Sequence, residues 1–286
     1  MMLTLLAYAK INLGLEVTGK RSDGYHNIVS VMQLVDLHDT LTFSPADDLR
    51  LFSDDPAMLA EGDNNLVLRA AHLLRQTSGT GKGAHITLDK RIPSAAGLGG
   101  GSSDAVATLL GLSRLWGFDL SLEELSRLGG MLGSDVPFFF AGPTALVEGR
   151  GEQVTPLAPP PRFWAVLVSQ PYNIPGKTRQ LYASLTPEDL GDGSRTREVL
   201  SALQQGCDIS SMPPFNSFER AAFEVFPGLD RVRGQMVDAG APNVHLSGSG
   251  PTLYTLYSES SAAEAQGLHD TLVHNGLKVY LVESKQ

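Results

Sequence analysis

Cysteine is all but absent: Cys207 is the single one in 286 residues. One thiol can build neither an internal disulfide nor a cysteine metal cluster. Long apolar runs are missing too, and none approaches the roughly 18 residues that a membrane-crossing helix needs. The opening Met-Met-Leu-Thr-Leu-Leu-Ala-Tyr-Ala-Lys has neither the charged start nor the long apolar core of a secretory signal. Positive charge is in deficit, with 22 Lys plus Arg against 31 Asp plus Glu and a net charge of −9. No basic patch is concentrated anywhere, which speaks against a nucleic-acid partner. Repeats and low-complexity tracts do not occur. These absences lead to the expectation of a soluble cytoplasmic protein with no membrane and no nucleic-acid partner.

What remains is an ordinary globular composition, 42% hydrophobic and 19% charged, in a chain long enough for two domains at about 150 residues each. One stretch stands out. Gly97, Gly99, Gly100 and Gly101 crowd into five positions, after a strand read at His85–Leu88 and before Ser102-Ser103-Asp104, which has the chemistry of a helix start. Ala105, Val106, Leu109, Leu110 and Leu112 then continue at helical spacing. A strand, a glycine loop and a helix N-terminus together aim backbone N–H groups at an anion. A polyphosphate is the expected ligand, with a ligand-free turn as the alternative. The loop is no Walker motif, since no Lys follows its glycines, and Ser102 stands where the dinucleotide fingerprint needs a third glycine.

Along the chain, Leu3–Leu15 reads as a strand whose Lys10 and Asn12 share a face with Tyr8, a pattern that a solvated polar face would also give. Ile28–Leu37 is an apolar segment, and Thr40–Phe43 and Leu49–Phe52 read as short strands. Asn65 can cap a helix over Leu66–Gln76, and Ser121 with Glu124 makes a capping box for a helix ending before Gly129-Gly130. Asp135 lies between a Gly-Ser turn and Pro-Phe-Phe-Phe, either a desolvated acid or a turn residue. Thr144–Glu148 reads as a strand. The proline-rich Val154–Arg162 is the candidate domain boundary. Beyond it, strands are expected at Phe163–Val168, Asn243–Leu246, Leu253–Tyr257 and Val279–Val282. Helices are expected at Thr178–Ser184, Arg195–Gln204, Asn216–Phe226, Leu229–Ala239 and Ala262–Asn275. Pro175-Gly-Lys-Thr178 fails as a Walker loop because Pro171 occupies the required first glycine. Ser247-Gly-Ser-Gly-Pro251 is either a second close-approach loop or only a tight hairpin.

Pro93-Ser-Ala-Ala-Gly-Leu-Gly-Gly-Gly-Ser-Ser-Asp104 resembles the phosphate loop of the GHMP kinases, named for galactokinase, homoserine kinase, mevalonate kinase and phosphomevalonate kinase. Ala9-Lys-Ile-Asn-Leu13, Asp23-Gly-Tyr-His26, Gly133-Ser-Asp-Val-Pro137 and Ser247–Thr252 are similar to the branch of that family acting on a cytidine-diphosphate-linked methylerythritol in the non-mevalonate isoprenoid route. The resemblance spans nearly the whole chain. It implies a two-domain α+β fold, with a ribosomal protein S5-like N-terminal domain at 1–157 for ATP and catalysis. A ferredoxin-like C-terminal domain on the substrate side follows at 158–286, its last strand able to return to the first.

The implied reaction is ATP-dependent phosphorylation of the substrate's 2-hydroxyl, with Mg2+ whose protein ligand stays unassigned. Lys10 and Asp135 match the catalytic pair. Pro93, Ser94, Ala95, Ala96, Gly97, Leu98, Gly99, Gly100, Gly101, Ser102 and Ser103 match the phosphate loop, and Asn65, Leu66 and Lys90 match nucleotide positions. Asn12, Tyr25, His26, Thr178 and Tyr182 match substrate positions, with Tyr25 and Tyr182 on the two faces of the cytosine and His26 at its edge. Tyr8 replaces the family's usual Pro, Asn216-Ser-Phe-Glu219 replaces Asn-Asp-Phe-Glu, and Gly176–Tyr182 is the least faithful stretch. Two alternatives remain open: a relative acting on homoserine or a mevalonate-like alcohol, which offers no base for Tyr25 and His26, and a nucleotide-binding regulator without catalysis.

Overall fold

Two long strands lead the chain in a computed structural model that describes residues 2–172, 174–212 and 215–286. They are β1 (Leu3–Lys20) and β2 (His26–Ala46). The expected break between Leu37 and Thr40 does not occur, because nothing in Leu37-His-Asp-Thr40 forbids extended backbone and Asp39 is fully buried and bonded. By contact the chain forms two units interleaved in sequence. One comprises Met1–Ala9, Leu37–Ser94 and Gly99–Ala141, and the other Lys10–Asp36, Ala95–Leu98 and Gly142–Gln286.

In the first unit, β3 (Leu49–Ser53) runs parallel to β4 (Gly83–Asp89), which pairs antiparallel with β2 from Thr40↔Asp89 to Ala46↔Gly83. The helices are α1 (Pro56–Ala60), α2 (Leu66–Ser78), α3 (Gly100–Trp116) and α4 (Leu122–Leu132). Leu41, Phe43, Ile86 and Leu88 of the strands share one core with Ala70, Leu74, Leu109, Leu112, Trp116, Leu125 and Leu128 of the helices. The anticipated caps form: Asn65 Oδ1 accepts from Val67 N at 2.9 Å, and Ser121 and Glu124 close a capping box. α4 runs on through Gly129-Gly130, where a stop was expected. A Cβ at Gly129 would stand 2.8 Å from Val136 Cγ1, so this glycine serves close packing and not termination.

In the second unit, the other half of β2 pairs antiparallel with β5 (Thr144–Gly149), which also carries β6 (Gln153–Pro156). The first residues of the proline-rich run are therefore strand and not linker. Next come β7 (Phe163–Val168), α5 (Lys177–Ala183), α6 (Ser194–Gln204), α7 (Glu219–Val225) and α8 (Leu229–Asp238). The unit ends with β8 (His245–Leu246), β9 (Leu253–Ser258), α9 (Ala262–His274) and β10 (Val279–Glu283). The sheet order β10-β7-β9-β8, antiparallel throughout, is the 4-1-3-2 arrangement of a ferredoxin-like domain. α7 starts three residues later than anticipated because the Asn216 side chain accepts from Phe218 N at 2.9 Å and holds a turn. The buried Glu16 carboxylate accepts from Gly193 N at 3.2 Å and Thr196 N at 2.7 Å, meeting the positive start of α6. Among the described residues no helix is long and apolar enough to cross a membrane.

Gly111 in α3 offers a test of the first core. An alanine inside a helix is ordinarily favoured over glycine by up to about 1 kcal/mol. Here its Cβ would stand 2.5 to 2.8 Å from the Phe43 ring. Overpacking wins, and Gly111→Ala is expected to destabilise by about 1–3 kcal/mol, read as a lower denaturant midpoint. A raised midpoint would refute this packing.

Candidate active site

In the second unit the site is built around an ammonium taken out of water. β1 carries Lys10 and Asn12, each only 2% exposed, so the polar face of this strand is not a solvated one. Lys10 Nζ donates to Asn12 Oδ1 at 2.5 Å, Asn12 Nδ2 to Ser30 Oγ at 2.8 Å, and Ser30 Oγ to Gly14 O at 2.7 Å. Tyr254 Oη donates to Asn12 O at 2.7 Å. Each donor in the relay has an acceptor, so the amide orientation and hence the ammonium position are set by the strands beneath.

Two glycine stretches close over this relay. Lys10 N donates to Leu98 O at 2.9 Å, Thr252 N to Ala96 O at 3.2 Å, and Ser247 Oγ to Gly97 O at 3.1 Å. A Cβ at Gly97 would fall 2.2 Å from Ser247 O, so backbone meets backbone here and no side chain fits. Ser247-Gly-Ser-Gly is thus both things it could be: a tight turn between β8 and β9, with Gly250 N donating to Ser247 O at 2.8 Å, and a partner of the glycine loop. Asn216 Nδ2 pins the turn by donating to Leu246 O and Gly248 O, both at 2.8 Å. Gly248 has φ +55°, and a Cβ there would stand 2.8 Å from Lys10 Nζ.

A second ammonium reaches the same turn. Lys177, at the start of α5, donates from Nζ to Gly250 O and lies 5.8 Å from the Phe226 ring centroid. Burial, and then the charge of Lys10, pushes this ammonium down to about 8. Thr178 Oγ1 is 3.4 Å from Ser249 Oγ. Further along α5, Tyr182 stacks on His26 with centroids 4.6 Å apart and meets Phe218 edge-on at 4.8 Å. Burial, then Lys20, holds His26 below its usual range. Tyr25 is exposed and lies under the Arg150 guanidinium at 4.9 Å.

The first unit holds the helix that follows the glycines. α3 begins at Gly100 with Gly99 (φ +70°) as its N-cap and no side chain capping it. Ser102 and Ser103 are therefore not caps but lie inside the first turn, with Ser103 N donating to Gly99 O at 2.9 Å. Glycine in the left-handed region supplies the entry geometry itself. The first-turn amides gain no side-chain acceptor, the condition in which a helix start accepts an anion. Leu66 closes one side, its Cδ1 3.3 Å from where a Gly101 Cβ would be, and Asn65 caps the helix that Leu66 begins. Ala95 holds φ +53° without being glycine, and Ser94 beside it is exposed, while Pro93 is half-buried. Asp135 is half-buried in the turn between α4 and a short 3-10 segment, Pro137–Phe140.

Beneath Gly100 lies a buried charge cluster. Lys90 Nζ stands 2.9 Å from where a Gly100 Cβ would be. It donates to Asp39 Oδ2, and to Asp104 Oδ2 at 2.9 Å. Asp39 Oδ1 accepts from Arg91 N at 2.6 Å and Ile92 N at 2.8 Å, fixing the chain as it enters the loop. Burial lowers the Lys90 ammonium, but Asp104 and Asp39 outweigh it, and the net shift is upward. Burial, with Asp39 nearby and against the pull of Lys90, raises the Asp104 carboxyl to about 7. Asp104 Oδ1 is buried with no hydrogen-bond partner among the described residues.

Asp39, Asp104 and Lys177 escaped the residue-by-residue reading. Asp39 could have been flagged as a lone acid in an apolar strand, and Lys177 as the Lys of a failed Walker pattern. Nothing local marked Asp104 as more than a helix-start acid. Among the described residues, no group of three or more His, Cys, Asp or Glu side chains is placed to hold a metal.

Residues 65–143 match the GHMP kinases N terminal domain and residues 189–267 the GHMP kinases C terminal domain. The chain is 44% identical over 284 residues to a 4-diphosphocytidyl-2-C-methyl-D-erythritol kinase of Dehalococcoides mccartyi, covering 99% of this chain and 98% of that one. It is 39% identical to the protein of that name from Thermodesulfovibrio yellowstonii, over 92% of each chain. A crystal structure of 4-(cytidine 5'-diphospho)-2C-methyl-D-erythritol kinase superposes with TM-score 0.83 at 36% identity, covering 99% of this chain and 100% of that one. A homoserine kinase from Cytophaga hutchinsonii shares the fold at TM-score 0.74 and 19% identity, over 99% of this chain and 94% of that one.

The Asp104 cluster predicts a pH effect of definite sign. With its carboxyl at about 7 when folded and about 3.9 when unfolded, the folded state holds the extra proton between those values. Its contribution to stability therefore falls as pH rises from about 4 to 7. Asp104→Asn keeps an oxygen for Lys90 and removes this dependence. Denaturant midpoints of variant and parent are expected to match near pH 4, with the variant increasingly ahead toward pH 8. A gap that stays constant with pH would refute the assignment.

Proposed function

Because this chain belongs to the 4-diphosphocytidyl-2-C-methyl-D-erythritol kinase family of the GHMP kinases, we propose that it moves the terminal phosphoryl of ATP onto the 2-hydroxyl of 4-diphosphocytidyl-2-C-methyl-D-erythritol. The observation that carries this reading is the buried Lys10 ammonium, held by Asn12 against Gly248 where the glycine loop passes. An alcohol has a pKa far above neutral, so its proton must leave as the attack proceeds. Asp135 accepts it, and the buried Lys10 ammonium stabilises the developing alkoxide. Asn12 keeps Lys10 aimed. The cytosine is received by Tyr25, His26 and Tyr182, with Thr178 at the near end of α5.

The residues fit a triphosphate. Pro93–Leu98 lead into the helix, and Gly99–Ser103 present helix-start amides that no side chain caps. Asn65 and Leu66 flank that start, and Lys90 lies beneath it. Ser102 and Ser103 would hold the magnesium that accompanies the nucleotide, an ion that keeps most of its ligands as phosphate and water. When bound it neutralises phosphate charge during transfer.

Coupled ATP-consumption assays decide the matter. Lys10→Met and Asp135→Asn are each expected to lower kcat by about 100-fold or more, with thermal midpoints near the parent's. Wild-type turnover in both variants would end the catalytic assignment. Turnover of homoserine or mevalonate in preference to the cytidylyl substrate would end the substrate assignment.

A further inference from the structure

We propose that Lys177 is a binding residue for the substrate's diphosphate, its ammonium neutralising those phosphates while Tyr182, on the same helix, receives the base. The inference rests on the function proposed above and adds a residue that it does not use. Three observations carry it. First, Lys177 and Lys10 bring two ammonium groups to one turn, at Gly250 O and Gly248. The contacts of Lys177 among the described residues are a carbonyl and the Phe226 ring, with no carboxylate. Holding the partly buried Lys177 ammonium near a second one, with no carboxylate of its own, is costly unless an anion joins it. A nucleoside diphosphate brings one.

Second, the placement fits. Lys177 and Tyr182 lie at the two ends of one short helix, α5, so the element that receives the base also carries the ammonium. Third, the hydroxyls of Thr178 and Ser249 stand 3.4 Å apart at the Lys177 end, ready to donate to phosphate oxygens. The Gly-Lys-Thr triplet thus serves a phosphate without the spacing of a Walker loop.

A purely structural role is the competing account, since Lys177 also ties α5 to Gly250. A neutral donor could make that tie; only a charge distinguishes a diphosphate from a bare nucleoside. Calorimetric titration with cytidine 5'-diphosphate and with cytidine separates the two. Lys177→Gln and Lys177→Met are expected to lose at least about 10-fold in affinity for the diphosphate and none for cytidine, whereas Lys177→Arg stays near wild type. The Michaelis constant for ATP should not move in any of them. Wild-type diphosphate affinity in Lys177→Gln overturns the proposal, as does a matching loss for cytidine, which would mark Lys177 as a structural tie. If the wild-type protein itself binds neither probe, the cytidylyl reading fails and this proposal falls with it.

Discussion

A charged amine held in a dry place is the constraint around which the second unit is arranged. Lys10 is buried with Asn12 facing it, and Ser30 and Gly14 hold Asn12 there by completing the line of donors and acceptors. Tyr254, wholly buried, adds its hydroxyl to the Asn12 carbonyl from another strand. None of these groups is reactive alone. Together they turn a flexible four-carbon chain into a fixed point charge, and a fixed charge costs no reorganisation when negative charge develops beside it.

Glycine serves this arrangement by absence of volume. At Gly97 the neighbour is the Ser247 carbonyl, and at Gly248 it is the Lys10 ammonium itself. Any side chain at either position would part the loop from the turn or push the amine away. Asn216 completes the closure from a residue outside either loop, spending both amide hydrogens on the carbonyls of the turn.

The first unit solves a different problem, that of holding a helix start open. Gly99 gives α3 an entry without a side-chain cap, and the charge beneath it is nearly balanced by Lys90, Asp39 and Asp104. Asp39 pairs with Lys90 and fixes two backbone amides as well, whereas Asp104 has one oxygen on Lys90 and one unpartnered. Burial, with Asp39 close by and against the pull of Lys90, makes the Asp104 carboxyl hold its proton toward neutral pH.

Much was legible from residues alone. Helix caps at Asn65 and Ser121, the strands β3 to β5 and β7 to β10, and the glycine loop all rest on interactions within a few residues, and local chemistry decides such features. The α+β architecture and the family came from motifs whose order along the chain is itself sequence information. Other features depended on partners far away in the chain. The continuity of β2 through Asp39, the strand role of Gln153–Pro156 and the passage of α4 through Gly129 are each decided by a distant neighbour. So are the charge cluster under Gly100 and the meeting of Lys177 with Lys10 at one turn. Burial and proximity are properties of the folded chain, and a lysine in a sequence carries no mark of either.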